Sequence, residues 1–299
     1  MRNMRHLLMA GTVALAATTV PAIAAPPDDT IVVGLSADAN TFDPAQISSR
    51  DNSNIARHIF RTLYEPLITG EIVPDLAESY TESEDGLSYT YKLPAGLTCE
   101  DGEPLTAEDV AYSFTRAADP ANAFTGNTPG YIFSSVGFQS AEVLSELEVK
   151  INIARKNPIA FNLLTEVMIH CKDSYEKMTL EQAAQTPVGS GDYKLVTWDR
   201  ASQVVLEKYR GDSAFSKLVY RIIPEASTRT AELIAGNVDI VTNVAPDQMD
   251  AINSSGSAKV QAVQGTRRIY VGFNLRQDFA EGSEGGAAIQ KTEVRRALQ

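Results

Sequence analysis

Alternating apolar positions mark two strands in the middle of the chain. Over 88–93, large side chains alternate with small or charged ones, which places Tyr89, Tyr91 and Leu93 on one face of a predicted strand. The same alternation over 147–153 predicts a second, antiparallel strand with one buried face. Both strands are therefore expected to cover a core.

A helix is predicted shortly after the first of these strands, over 107–118. Apolar residues recur there at the i, i+4, i+7 spacing, starting from Val110, as a helix with one buried face requires. Thr106, followed by Asp109 three residues later, resembles a capping box, although Asp is shorter than the usual Glu. We expect the strand, the acidic turn after it and this capped helix to form one packed unit.

The remaining pattern alternates short strands with helices, as in an α/β protein. Strands are predicted at 31–35, 193–198, 204–209, 218–223 and 238–241, and helices at 52–64, 158–168, 228–236, from 246 onward and near 294–298.

The first 24 residues have the pattern of a secretory signal peptide. Arg2 and Arg5 precede an apolar run over 7–20, and small residues at 22–24 offer a cleavage site. The run is shorter than the roughly 20 residues of a membrane-spanning helix. No Cys stands at the cleavage point, which argues against a lipoprotein anchor. We therefore expect an exported protein.

The net charge limits the classes of molecule that the protein is expected to bind. The formal net charge is −12, and it becomes −14 once Arg2 and Arg5 leave with the signal peptide. Such a chain repels nucleic acid. An acidic balance also suits a cationic ligand, but a solvated, soluble surface is the more frequent reason for it.

Seven stretches carry a family resemblance, in order from about residue 31 to 298. They read TFDPAQISSRDNSNIARHIFRTLYEPLI, PDLAESY, TYKLPAGLTCEDGEPLTAEDVAYSFTRA, TPVGSGDYKLVTW, YRIIPEASTRTAELIAGNVDIV, and IYVGFN with EVRRAL. Together they resemble the family 5 extracellular solute-binding proteins, the receptors of peptide, nickel and related ABC importers.

The resemblance implies a periplasmic-binding-protein-like α/β fold with a mixed sheet. Residues 25–274 would form the first lobe, with an inserted subdomain at about 65–185. Residues 275–299 would begin a second lobe that is largely absent, because relatives continue much further.

The resemblance also implies where ligand binds. In peptide-binding relatives the segment matching 45–51 edges the cleft, and Tyr270, Phe273 and Asn274 match the crossover into the second lobe, although a packed strand with a turn-capping Asn is an equal alternative there. For the aromatic residues Phe124 and Tyr131, packing into the core is the more frequent outcome and rimming the cleft is the alternative. The candidate ligand-binding residues are Asp38, Ser48, Ser49, Arg50, Tyr131, Ser190, Tyr270, Phe273 and Asn274.

The sequence predicts no metal site and no cofactor. Asp38, Asn40 and Asp43 lie close together, but they lack the glycine and terminal glutamate of a calcium loop and are better explained as turn formers. His58 lacks a second His at helical spacing, and His170 with the adjacent Cys171 lacks a third and a fourth ligand.

The two cysteines, Cys99 and Cys171, are compatible with a disulfide in an oxidising compartment. Cys99 stands where the family more often has an aromatic residue. A disulfide could replace the packing that the aromatic side chain provides in relatives, so a bridge between the two cysteines is slightly favoured. A reduced, buried pair is the alternative.

Two functional classes follow. The first is a monomeric periplasmic receptor that captures a small solute, with peptide as the leading candidate, and delivers it to the permease of an ABC importer. Within this class the solute could instead be a nickel chelate, an opine or another small molecule, and a sensor subunit is a further variant. The second class is a secreted hydrolase, which the lack of nucleophile, metalloprotease and Walker motifs disfavours.

Overall fold

The computed structural model describes residues 29–263, 272–276 and 284–298. The chain divides into two compact units, which meet between Val260 and Gln261. The predicted signal peptide, 1–24, and Tyr270 lie outside the described residues. In the second unit, the structure describes two short helices, Glu284–Ile289 and Thr292–Ala297.

A five-stranded mixed sheet organises the first unit, in the order β11-β1-β10-β9-β8. Strand β1 is parallel to β10 and β11, whereas β10, β9 and β8 are antiparallel neighbours. The bounds are β1 Thr30–Leu35, β8 Tyr193–Asp199, β9 Gln203–Lys208, β10 Lys217–Ile222 and β11 Ile240–Val241.

A second, antiparallel sheet lies within 79–153 and has the order β4-β5-β7-β6. Its strands are β4 Ser79–Glu82, β5 Ser88–Lys92, β6 Phe138–Ser145 and β7 Glu148–Ile153. A separate hairpin pairs β2 Tyr64–Pro66 with β3 Ile72–Pro74. The predicted inserted subdomain, 65–185, contains the four-stranded sheet, and its bounds stay a prediction.

Eight α-helices accompany these sheets in the described part of the first unit. They are α1 Arg50–Ile59, α2 Ala107–Ala118, α3 Ser134–Val136, α4 Ala160–Leu164, α5 Lys172–Tyr175, α6 Leu180–Gln185, α7 Ala226–Ile234 and α8 Met249–Ser255. Single turns of other helix types occur at Pro120–Asn122, Thr128–Phe133 and Pro246–Gln248.

The unit of strand, turn and capped helix is confirmed. Helix α2 has both hydrogen bonds of the capping box, because the Asp109 carboxylate accepts from the Thr106 N–H at 2.8 Å while the Thr106 side chain caps the first turn. The predicted inward faces of β5 and α2 are buried in one core, with Tyr91 1% and Phe114 0% exposed. The shorter Asp therefore completes the box.

The predicted helix at 52–64 is longer than the observed α1. Backbone at Phe60 is extended, and the Gly191 N–H donates to the Ile59 carbonyl at 2.7 Å, so the loop at 189–191 caps the helix end. A Cβ at Gly189 would overlap the Ile59 carbonyl oxygen. The two glycines of this loop are thus explained by close approach to α1.

The predicted helix at 158–168 is also too long. Helix α4 ends at Leu164 and a turn follows at 165–166. Beyond this turn Met168 pairs with Thr62, and the Ile169 N–H donates to the Arg61 carbonyl. Tertiary pairing overrides the helical periodicity here.

Candidate functional site

A cavity of about 630 Å³ lies beside α1. Three segments supply its walls: the loop and helix around 44–57, the turn at 127–132 and the stretch at 162–168. Its lining residues are Pro44, Ile47, Ser48, Arg50, Ser53, Asn54, Arg57, Asn127, Thr128, Tyr131, Ile132, Asn162, Leu163, Glu166 and Met168.

Helix α1 places one row of polar side chains along this cavity. Arg50, Ser53, Asn54 and Arg57 are spaced at i, i+3, i+4 and i+7, which puts them on one helix face. The opposite face packs into the core of the mixed sheet through Ile55 and its neighbours. Burial of the apolar face therefore fixes which residues point to the cavity.

The loop before α1 is held against the turn at 127–132. The Asn127 N–H donates to the Ile47 carbonyl at 2.9 Å. Gly126 lies so close to this loop that a Cβ would overlap the Ala45 carbonyl oxygen. Only glycine fits this close contact between the two backbone segments. The contact therefore sets the distance between two walls of the cavity.

The cavity wall offers many hydrogen-bonding groups. Asn54, Asn127 and Asn162 each carry an amide that both donates and accepts, and all three are exposed. Tyr131 adds an aromatic ring that is 58% exposed. For Tyr131 the favoured prediction of packing into the core is therefore wrong, whereas Phe124 does pack against the core.

An ion pair joins two walls of the cavity. The Arg57 guanidinium donates to the Glu166 carboxylate, linking α1 to the stretch after α4. Neighbouring His58 does not line the cavity. Burial lowers the pKa of His58, although the Asp192 carboxylate partly opposes this shift.

The structure brings together three of the predicted ligand-binding residues, Ser48, Arg50 and Tyr131, on this one cavity. Ser49 does not line it, because its side chain caps α1 by accepting from the Asn52 N–H at 3.2 Å. Whether any of these residues contacts a ligand stays a prediction.

Asp38 and Ser190 lie elsewhere and have structural partners. The Asp38 carboxylate accepts from the Trp198 indole and from the Ala201 N–H, both at 2.9 Å. Ser190 is 0% exposed, accepts from the Arg61 N–H and donates to the Ile169 carbonyl. Neither side chain lines the cavity.

Phe273 and Asn274 belong to the second unit, where both are half-buried.

The part of the chain that the structure describes contains no cluster of three or more His, Cys, Asp or Glu side chains suited to a metal ion. Across the same residues, no helix has the length and apolar character needed to span a membrane.

Sequence reasoning missed Arg57, Glu166 and the three asparagines of the lining. Helical spacing from Arg50 identifies Asn54 and Arg57 once α1 is placed. For Asn127, Asn162 and Glu166 no local pattern gives such a signal, since only tertiary packing brings their segments to α1.

Cys99 and Cys171 form a disulfide in the structure, with their Cα atoms 6.0 Å apart. Both residues are buried in the core of the four-stranded sheet. The bridge joins the turn before α2 to the residue that precedes α5.

Comparison with known proteins gives concordant similarities. A family described as "Bacterial extracellular solute-binding proteins, family 5 Middle" matches residues 71–299. The glutathione-binding protein GsiB of Shigella flexneri is 26% identical over 284 residues, covering 91% of this chain and 54% of GsiB.

Two solved structures share the fold. The periplasmic binding protein DppA from Helicobacter pylori, in complex with the peptide STSA, matches with a TM-score of 0.66 and 25% identity over 75% of this chain and 48% of DppA. The binding protein AgaA from A. tumefaciens R10, in complex with agropinic acid, matches with a TM-score of 0.68 and 27% identity over 75% of this chain and 46% of AgaA.

The chain thus spans about half the length of these relatives. The family match extends over most of the sequence, and the neighbouring folds are periplasmic binding proteins. The chain belongs to the family 5 bacterial extracellular solute-binding proteins.

Proposed function

We propose that this protein is the periplasmic receptor of an ABC importer and binds a small solute, with peptide as the leading candidate. The observation that carries the proposal is the cavity of about 630 Å³ beside α1, whose size is in the range of small-molecule sites. The receptor would act as a monomer and deliver its solute to the membrane permease.

The chemistry of the lining supports a peptide-like solute. Amides at Asn54, Asn127 and Asn162 match the N–H and C=O groups of a peptide backbone. The exposed Tyr131 ring offers a surface for an apolar side chain. Relatives that bind glutathione and the peptide STSA support the same class.

Opines and nickel chelates are the alternatives within the receptor class. The relative in complex with agropinic acid supports the first, and the NikZ structure in complex with Ni(L-His) supports the second. Among the lining residues that the structure describes there is neither His nor Cys, so nickel would have to enter with its own chelator.

A secreted hydrolase is disfavoured. Ser48 and Ser53 line the cavity, but the described part of the lining contains no His that could act as their base. The carboxylate of Glu166 is engaged by Arg57.

A ligand screen on the full-length protein tests the proposal. Thermal unfolding is followed with a panel of di- to tetrapeptides, glutathione, opines, sugars and nickel–histidine, and each hit is titrated by calorimetry and examined for product by mass spectrometry. We expect at least one peptide to bind stoichiometrically and to be recovered intact. Turnover of a hit would favour the hydrolase, and a panel without any binder would contradict the receptor.

A further inference from the structure

A second cavity, of about 360 Å³, follows the first one at the carboxyl end of α1. Its walls come from the end of this helix and the residues after it, from the hairpin of β2 and β3 with the residue that follows it, and from the loop before β8. The lining residues are Arg57, His58, Phe60, Arg61, Thr62, Glu65, Asp75, Gly191, Asp192 and Tyr193. Most of these side chains are polar or charged, so the second cavity suits a polar group of a solute.

Arg57 connects the linings of the two cavities. The first cavity is lined by α1 residues between 50 and 57, and the second is lined by residues between 57 and 62. The two cavities therefore follow each other along the chain of α1. Within the described part of the protein, Arg57 alone belongs to both linings.

The Arg57 side chain reaches the opposite wall at this point. Its guanidinium donates to the Glu166 carboxylate, which belongs to the stretch after α4 and to the lining of the first cavity. The two side chains are 26% and 46% exposed, so the ion pair lies at the surface of the cavity and not in the core. A solute that extends from the first cavity into the second has to displace this ion pair.

The walls of the second cavity are held by contacts of their own. The Arg61 guanidinium donates to the Asp75 carboxylate, which also accepts from the Thr62 N–H at 2.9 Å. Neither hydrogen bond involves Arg57. Truncation of the Arg57 side chain therefore leaves the second cavity in place and removes the barrier in front of it.

We propose that the ion pair between Arg57 and Glu166 limits the length of the solute by closing the first cavity towards the second. This inference rests on the proposed receptor function. A solute that fits the first cavity leaves the ion pair intact, whereas a longer one breaks a charge-assisted hydrogen bond between the two walls. Arg57 is thus a residue that determines specificity for solute length.

A length series of peptides tests the inference. Full-length protein and its Arg57→Ala variant are titrated calorimetrically with peptides of two to six alanine residues. With the unsubstituted protein, the affinity should stop rising once the peptide fills the first cavity. Arg57→Ala should bind the longest peptides about 10-fold more tightly than the unsubstituted protein does, which is the effect expected from one charge-assisted hydrogen bond, and should bind dialanine equally well.

Two further variants separate the ion pair from other effects of the substitution. Glu166→Ala releases the guanidinium from the other wall and should also favour long peptides. Arg57→Glu combined with Glu166→Arg rebuilds the pair with its charges exchanged and should restore the length limit. Lys92→Ala is the control, because it breaks an exposed ion pair with Glu78 outside both linings and should keep the limit. Thermal midpoints report whether each variant is folded.

The length limit and the receptor function fail differently. If peptides bind but the affinity of the unsubstituted protein rises through the whole series, the length limit is wrong and the receptor function stands. The same holds if both single variants keep the length profile of the unsubstituted protein, if the exchanged pair does not restore it, or if the solutes that bind are not peptides. If no solute of any class binds, both proposals are wrong.

Discussion

The Asp43 carboxylate accepts two hydrogen bonds from the Arg116 guanidinium, at 2.9 and 2.6 Å, and both side chains are buried. Asp43 belongs to the loop that leads to the cavity, and Arg116 belongs to α2. The Asp43 carboxylate also accepts from the Ala45 N–H at 3.1 Å. This ion pair therefore joins the cavity loop to the helix that covers the four-stranded sheet.

Arg116→Met should destabilise the protein by roughly 3 to 5 kcal/mol, because it leaves the Asp43 carboxylate buried without its countercharge. Adding Asp43→Asn should recover part of the loss by removing that charge. Urea denaturation of the single and double variants measures both effects.

Lys92→Met is the matched control for this ion pair. It removes the exposed pair between Lys92 and Glu78 and should cost far less stability than Arg116→Met, because solvent screens this pair. Equal losses for Arg116→Met and Lys92→Met would contradict the structural role of the buried pair.

Gly126→Ala should destabilise the protein by roughly 1 to 3 kcal/mol and weaken solute binding, because the added Cβ forces the loop at 45–47 away from the turn at 127–132. Gly130→Ala is the control in the same segment, since its Cβ would meet only the Thr125 carbonyl oxygen at an ordinary 3.6 Å. Calorimetric titration and thermal unfolding compare the two. If Gly126→Ala changes neither stability nor solute binding, the close contact at Gly126 does not determine the distance between the cavity walls.

Removing the disulfide should lower the free energy of unfolding by about 4 kcal/mol. The bridge closes a loop with a sequence separation of 72, and loop-closure entropy predicts a cost of this size for the opened chain. Cys99→Ser with Cys171→Ser is compared with the unsubstituted protein by denaturation with and without reductant. Reductant should affect only the protein that retains both cysteines.

Acid should weaken the fold through His170. This residue is 1% exposed, both of its ring nitrogens lack a hydrogen-bond partner, and burial, reinforced by the nearby Arg116 charge, lowers the pKa of His170 from 6.5 to about 3. Above pH 6.5 both the folded and the unfolded state hold a neutral ring. As the pH falls from 6.5 towards 3, only the unfolded state takes up the proton, so the free energy of unfolding decreases.

At pH 5 this loss amounts to about 2 kcal/mol relative to pH 7.5. Between pH 7.5 and pH 5 the His170→Leu variant should lose about 2 kcal/mol less stability than the unsubstituted protein, because leucine cannot take up a proton. The Ser113 hydroxyl bonds to the backbone of residue 170, so this contact survives the substitution. Urea denaturation at the two pH values gives the difference, and equal losses in both proteins would exclude His170 as the source.

Local patterns predicted the regular elements where one face of an element is buried. The bounds of α2 agree with its periodicity, and the alternation over 147–153 becomes β7 with Val149, Ile151 and Ile153 buried. Such patterns show which face of an element is buried, but they do not identify the residues that pack against that face.

Long-range contacts could not be predicted in this way. The end of α1 depends on the hydrogen bond from Gly191, and the end of α4 depends on strand-like pairing with Arg61 and Thr62. The Ser190 hydroxyl accepts a hydrogen bond from the Arg61 N–H in the same region. In the cavity, Ser48 and Arg50 were identified through family resemblance, whereas Tyr131 was considered as an aromatic residue of a predicted loop that could rim the cleft. Asn162 and Glu166 were missed because they come from a segment whose local pattern continued as a helix.

The pairing of β1 has a consequence for the order in which the protein can fold as it is made. The Val32 N–H donates to the Asp239 carboxylate, 207 residues further along, and β1 pairs with β10 and β11 rather than with an early strand. Strand β1 thus stays without these sheet neighbours until most of the first unit has been synthesised, and such non-local pairing is intrinsically slow. The mixed sheet therefore cannot be completed until residue 241 has been made, because the pairing of β1 with β11 needs that residue.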